Sequence, residues 1–324
     1  MVFFLRPVPI LLFLSPLVAE YLLGDLTVSQ LKLLPVMFPI YGGGALLIRD
    51  LARRTRRGWP AILILGLAYA IVEEALATQS LFNPHYLGLR LIDYGFIPAL
   101  GIAAPWTVYV LTIHVVWSIA VPIALVEALF PERREIPWFG AKGLAAAAIV
   151  YIAGVALIFG GTRAMEHFMA SPIQLAWAAL AAAAVAAAAF VFVRPMPEAG
   201  RPPAPPAGMS PWIPGLLAFV LGSTLCFCTR LSSAVEAPVL TAIYLGISGA
   251  AVAAVAVLRR RPGWTEACAD ALGIGAVLVY AWWGFVISHA LHGASSLAGH
   301  SVFVAALAGY LALVRSRRRA IGIT

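Results

Sequence analysis

Charge is what this chain has least of. Asp, Glu, Lys and Arg make up 11% of its 324 residues, against about 25% in an average soluble domain. A hydrated, charge-covered surface is excluded, and the soluble globular class with it. Cysteine is scarce as well. Cys226, Cys228 and Cys268 make no disulfide framework, the Cys226-Phe227-Cys228 spacing is not a zinc pattern, and we read all three as small apolar fillers. There is no His-Glu-x-x-His, no clustered Cys/His set, no nucleotide-binding loop and no haem-attachment motif. No metal or other cofactor is therefore expected. The net charge of +8 is not a nucleic-acid face either, because the basic residues fall in short blocks between apolar runs.

What the chain has in quantity is apolar sequence, 62% of all residues. A membrane-spanning helix needs about 20 mostly apolar residues. Ten segments qualify, near 8–24, 33–49, 59–80, 105–130, 142–162, 172–193, 212–229, 237–258, 269–290 and 298–314. Arg6 with the apolar run behind it reads as a retained first helix rather than a cleaved signal. With the N-terminus placed in the cytoplasm, all but Lys32, Arg90, Arg163 and Arg230 of the 22 Lys and Arg residues fall on the cytoplasmic side. This positive-inside asymmetry predicts both termini in the cytoplasm. The expected fold is all-α, a polytopic integral membrane helical bundle of about ten transmembrane helices. The expected location is a cell membrane of the bacterial plasma-membrane kind, with the lipid bilayer as the first partner; the oligomeric state is not legible. Residues 1–194 would hold helices one to six. The Pro-rich stretch 195–211 would be a cytoplasmic linker, and residues 212–324 would hold the last four helices. The connection 81–104 is too apolar for a solvated loop and too broken for a span, which predicts a re-entrant or interfacial segment. Gly42-Gly43-Gly44 is read as a close-packing device with no chemical role.

Against this background two adjacent carboxylates stand out, Glu73 and Glu74, inside the third span. One acidic residue at the centre of a spanning helix costs roughly 2.5–3.5 kcal/mol on insertion scales, so a retained pair calls for partners or for use. Helix three would run outward and helix four inward. At 1.5 Å per residue the glutamates would lie about 10 Å and His114 about 13 Å from the outer ends of their helices. Glu20, His289 and His292 fall near the outer ends of helices one and nine, whereas Glu127 falls near the inner end of helix four, as an interfacial or structural residue. Helical spacing places Tyr69 on the face of Glu73, and Ser118 on the face of His114 with Trp117 beside it. Glu73 and Glu74 are about 100° apart on an ideal helix, so they should point to different neighbours, Glu74 towards the Thr78 hydroxyl. A carboxyl and the His114 ring should approach to a water-bridged distance, with Gln79 or Glu20 closing the site. A carboxylate beside a histidine is the pairing that general acid–base work on a water requires.

Glu73-Glu74 in a spanning helix, followed by His114-Val115-Val116-Trp117-Ser118, resembles the glutamate-type intramembrane protease superfamily. That superfamily includes the CAAX prenyl endopeptidases with their bacterial relatives (CPBP) and the PrsW proteases. The resemblance covers residues 59–130. It implies a membrane-embedded peptide as substrate, Glu73 or Glu74 activating water, His114 polarising the scissile carbonyl, and the connection 81–104 gating the substrate path. The functional expectation is an intramembrane hydrolase with Glu73, Glu74 and His114 as catalytic residues, supported by Glu20, Tyr69, Gln79, Trp117, Ser118 and His289. The alternatives are a lipid-modifying enzyme or a non-enzymatic membrane protein, a transporter or partner-binding subunit, in which the cluster is structural or binds substrate.

Overall fold

The computed structural model describes residues 6–196 and 208–322. Among them, nine helices are long and apolar enough to cross a membrane, and a shorter apolar helix precedes them. In chain order these are α1 (Pro7–Leu22), α2 (Val28–Arg54), α3 (Gly58–Ala77), α4 (Ala104–Leu129) and α5 (Ala141–Glu166). They continue as α6 (Pro172–Val191), α7 (Trp212–Ser233), α8 (Ala237–Arg259), α9 (Glu266–His292) and α10 (Ala294–Ala320). The chain is an all-α polytopic membrane bundle. The linker expected at 195–211 falls largely on residues 197–207, outside the described part.

Lipid tails are as apolar as Leu, so helices in a bilayer associate through close contact and polar pairing rather than by the hydrophobic effect. Both devices are present. At Gly42 an added Cβ would lie 2.3 Å from the Leu12 carbonyl oxygen, which holds α2 against α1. At Gly275 it would lie 2.0 Å from the Gly215 carbonyl oxygen, which sets the α7–α9 approach. The Ala-rich helices α5 and α6 are mostly exposed, with Ile149, Ile152, Trp177 and Leu180 pointing away from the bundle.

The two ends of the bundle differ. At the arginine-rich end, buried Glu127 of α4 accepts from Arg49 Nε and Arg53 Nε of α2, both at 3.0 Å, and from Arg53 Nη2 at 2.6 Å. Arg49 also donates to the carbonyls of Arg133, Arg134 and Ile136, and its guanidinium lies 3.7 Å over the Trp138 ring. Asp270 at the start of α9 pairs with Arg134 and with Arg318 of α10. Arg49 and Arg53, counted at the cytoplasmic end of the second span, are buried within α2. The positive-inside rule counts charges and is blind to the carboxylate that receives them. Glu127 is accordingly structural.

At the opposite end the connection 81–103 contains no membrane-length helix. It contains a single turn at Tyr86–Gly88 and a two-residue antiparallel pair, β1 (Phe96–Ile97) with β2 (Ile102–Ala103). Exposed Leu87, Leu89, Phe96 and Leu100 account for its apolar sequence. It is tied down by Tyr94, whose hydroxyl donates to the Val235 carbonyl at 2.5 Å, and by Asn83, which donates to Glu166 at 3.1 Å.

Candidate functional site

Each of the first four helices contains one segment wound wider than an α-helix, with π-type i→i+5 bonding. These are Leu17–Leu22 in α1, Phe38–Gly42 in α2, Val72–Ala77 in α3 and His114–Ala120 in α4. Such single-turn bulges occur frequently at functional sites. Here the four carry Glu20, Tyr41, Glu73 with Glu74, and His114, and they converge.

His114 Nε2 lies 3.2 Å from Glu73 Oε2 and 3.3 Å from Glu74 Oε1. The contacts are direct rather than bridged by water. The expectation that the two carboxylates diverge fails for a geometric reason. A π-type turn takes in more residues than an α-turn, so the angle between neighbours is smaller than 100° and both reach one imidazole. His114 Nδ1 lies 2.9 Å from the Val110 carbonyl oxygen. A carbonyl only accepts, so Nδ1 carries a hydrogen. Nε2 then either accepts from a protonated glutamate or, in an imidazolium, donates to an ionised one. In both cases a proton lies between Nε2 and a carboxylate oxygen, so the three side chains form one hydrogen-bonded unit.

The two carboxylates are anchored unequally. Glu74 accepts from the Ser80 hydroxyl. Glu73 Oε2 has no hydrogen-bond partner besides its contact with the imidazole. The Thr78 hydroxyl donates to the Glu73 backbone carbonyl at 3.0 Å. Tyr41 donates its hydroxyl to Glu20, and its ring lies face to face with His114, centroids 6.4 Å apart. The Tyr69 ring is 6.5 Å from His114 and 6.3 Å from Tyr41, and its buried hydroxyl has no partner. Relative exposures of 2% for Glu73, 6% for Glu74 and 8% for His114 show that the trio is enclosed.

Glu20, Tyr69, Glu73, Glu74 and His114 are thus brought together; four other predicted members are not. Gln79 accepts from Ala170 N at 2.7 Å and holds the α5–α6 turn instead. Trp117 donates to the Ala276 carbonyl at 2.8 Å and stacks on Tyr280, which makes it a packing residue between α4 and α9. Ser118 contributes its carbonyl, which accepts from Ser15 at 2.6 Å and ties α4 to α1. His289 is exposed. Tyr41 was not foreseen. A tyrosine in a span is unremarkable by composition, and the neighbouring glycines drew the reading towards packing. Among the described residues no group of three or more His, Cys, Asp and Glu is arranged to hold a metal ion.

Residues 9–321 match the family model described as "Uncharacterized membrane protein family". No curated protein and no solved structure matches the chain. The family match overturns the resemblance to the CAAX, CPBP and PrsW proteases. That resemblance rested on residues 59–130 alone. Within them Thr78 stands where those proteases often carry Arg or Lys, and Val110 stands where an aromatic residue precedes their histidine. A Glu-Glu pair and a histidine on consecutive helices identify a buried acid–base cluster, not a lineage.

Proposed function

Since the chain belongs to an uncharacterised membrane protein family, we propose its function from the site alone: an intramembrane hydrolase of amide or ester bonds. The observation that supports this most is the single imidazole nitrogen shared by two buried carboxylates. Glu73, the less anchored of the pair, takes a proton from water. The water oxygen bonds to the carbonyl carbon, and His114 Nε2–H stabilises the oxyanion that forms. The intermediate collapses with cleavage of the bond to the leaving group, which receives the proton that Glu73 holds. Glu74, fixed by Ser80, orients the imidazole. Enclosure strengthens each of these interactions by excluding bulk water.

The test uses the full chain in liposomes with membrane lipids and membrane peptides, in water enriched in oxygen-18. Label should enter newly formed carboxylates, and Glu73→Gln or His114→Ala should abolish it in folded protein. Label that persists in both variants, or none with the unaltered chain, removes the hydrolase reading. A proton-coupled carrier is the second reading, favoured by the same enclosure, because a shared buried proton also suits transport. It predicts proton uptake coupled to solute movement and no incorporated label.

A further inference from the structure

The hairpin that leads into α4 has a composition unlike any other turn of the chain. Over residues 95–105 no side chain carries a charge or a hydrogen-bonding group. The stretch is far shorter than the about 20 residues that a spanning helix needs. Instead it folds back on itself, with Phe96 paired to Ala103 and Ile97 to Ile102. Much of its backbone is satisfied within the hairpin. Leu100 N and Gly101 N donate to the Ile97 carbonyl at 3.0 and 2.9 Å, and Ala104 N donates to the Gly95 carbonyl at 3.3 Å. Pro98 has no N–H to satisfy. The side chains do the reverse and turn outward. Phe96 is 46% and Leu100 57% exposed, and Pro98 and Ala99 between them are exposed as well. An apolar patch of this kind is costly to leave in water and marks a contact surface.

Close contacts fix where the hairpin sits. At Gly95 an added Cβ would lie 2.6 Å from Ala237 Cβ, in the first turn of α8. At Gly101 it would lie 2.4 Å from Gln174 Nε2, in the first turn of α6. Both glycines have positive φ, 77° and 66°, so turn and contact together require glycine. The hairpin therefore crosses the beginnings of α6 and α8 and runs directly into α4, at the level where three spanning helices end. Beside it, Ile173 and Trp177 on α6 and Val239 and Leu245 on α8 are exposed. These are the faces the bundle presents to lipid, and the hairpin adjoins them.

We propose that the hairpin 95–103 is a membrane-interface anchor, with Phe96, Pro98 and Leu100 seated in the glycerol and upper acyl-chain region of the leaflet opposite the arginine-rich end. Continuity with the lipid-facing surfaces of α6 and α8 identifies the occupant. A protein partner would meet about one hydrogen bond per 100–200 Å² across a specific interface, and these side chains offer none. An open strand edge is not tolerated inside the hydrocarbon itself, which sets the depth at the interface. The segment just before the hairpin carries Arg90 and Asp93, both exposed, and belongs to the water side. The anchor is independent of the hydrolase reading.

Depth is measured on the full chain in phosphatidylcholine–phosphatidylglycerol liposomes, with a spin label on Leu100→Cys. Its collisions with oxygen, which concentrates in lipid, are compared with those with a water-soluble nickel chelate. The native cysteines are buried. Leu180→Cys, on the exposed face of α6, and Arg260→Cys, exposed at the arginine-rich end, give the lipid and water limits. The oxygen-to-nickel ratio at Leu100 should lie between them, several-fold above that at Arg260. A second arm labels Ala99→Cys and adds Phe96→Ser, which should shift the ratio several-fold towards water. A Leu100 ratio equal to that of Arg260 leaves the hairpin in water and overturns the anchor. Low collision with both reagents means that protein covers it, a second copy of the chain in these liposomes, and overturns it equally. An unchanged ratio in the Phe96→Ser protein removes the apolar side chains as its cause. None of these outcomes alters the oxygen-18 result, so the two readings fail separately.

Discussion

At the residue scale, the consequential side chains are polar groups whose partners come from other helices. Glu127 is the clearest case, because two buried arginines share it. Removing one partner of a buried ion pair leaves an uncompensated charge and costs about 3–5 kcal/mol. Glu127→Ala should therefore lower the thermal midpoint in detergent sharply. Glu132→Ala should not, because Glu132 pairs with Arg317 at an exposed position. Asp25 gives a pH signature with a definite sign. Its folded value of about 6 lies above the ordinary 3.8, so folding favours the protonated form. That contribution is complete below about 3.8 and is lost as pH rises through about 6. The stability difference between the unaltered chain and Asp25→Asn should drift against the former across that window, and paired melting curves at pH 4 and pH 7 measure it. Glu73, Glu74 and His114 were legible because a polar residue in a spanning run is anomalous in itself. Their mutual orientation was not, because helical-wheel reasoning assumes 3.6 residues per turn, and all four helices depart from it at the site.

At the scale of elements, hydropathy located each span to within a few residues and erred for identifiable reasons. The last span was expected at 298–314, yet α10 runs from Ala294 to Ala320. Arg315 to Arg319 end the apolar stretch without ending the helix. The connection 81–104 was expected to be re-entrant or interfacial, and its apolar residues Leu87, Leu89, Phe96 and Leu100 lie exposed on a short turn and a two-residue strand pair. Helix contacts made through glycine lead to a prediction here. Gly275→Ala would set a Cβ against the Gly215 backbone, and backbone cannot swing aside as a side chain can. Overpacking of this kind costs about 1–3 kcal/mol. The variant should melt lower than Gly246→Ala, where an added Cβ meets nothing within 4 Å.

For the whole molecule, the expected orientation follows from the segregation of basic residues and can be checked in intact cells. Cysteines introduced at Leu87 and Ser295 should react with an impermeant thiol reagent, and one at Arg260 should not. All three positions are exposed, so protection at Arg260 would report sidedness rather than burial. Labelling at Arg260 with protection at Ser295 would invert the molecule and move the acid–base cluster to the other leaflet.

The arginine lattice around Glu127 and Asp270 acts mechanically as a fulcrum. It pins α2, α4, α9 and α10 at one end through buried ion pairs, whereas the far end is tied by single hydrogen bonds such as Asn83–Glu166 and Tyr94–Val235. A helix of 20 residues is about 30 Å long, so a 5° tilt about the pinned end moves the other end by about 2.6 Å. A small tilt about the arginine-rich end is therefore felt most at the end that carries the connection 81–103.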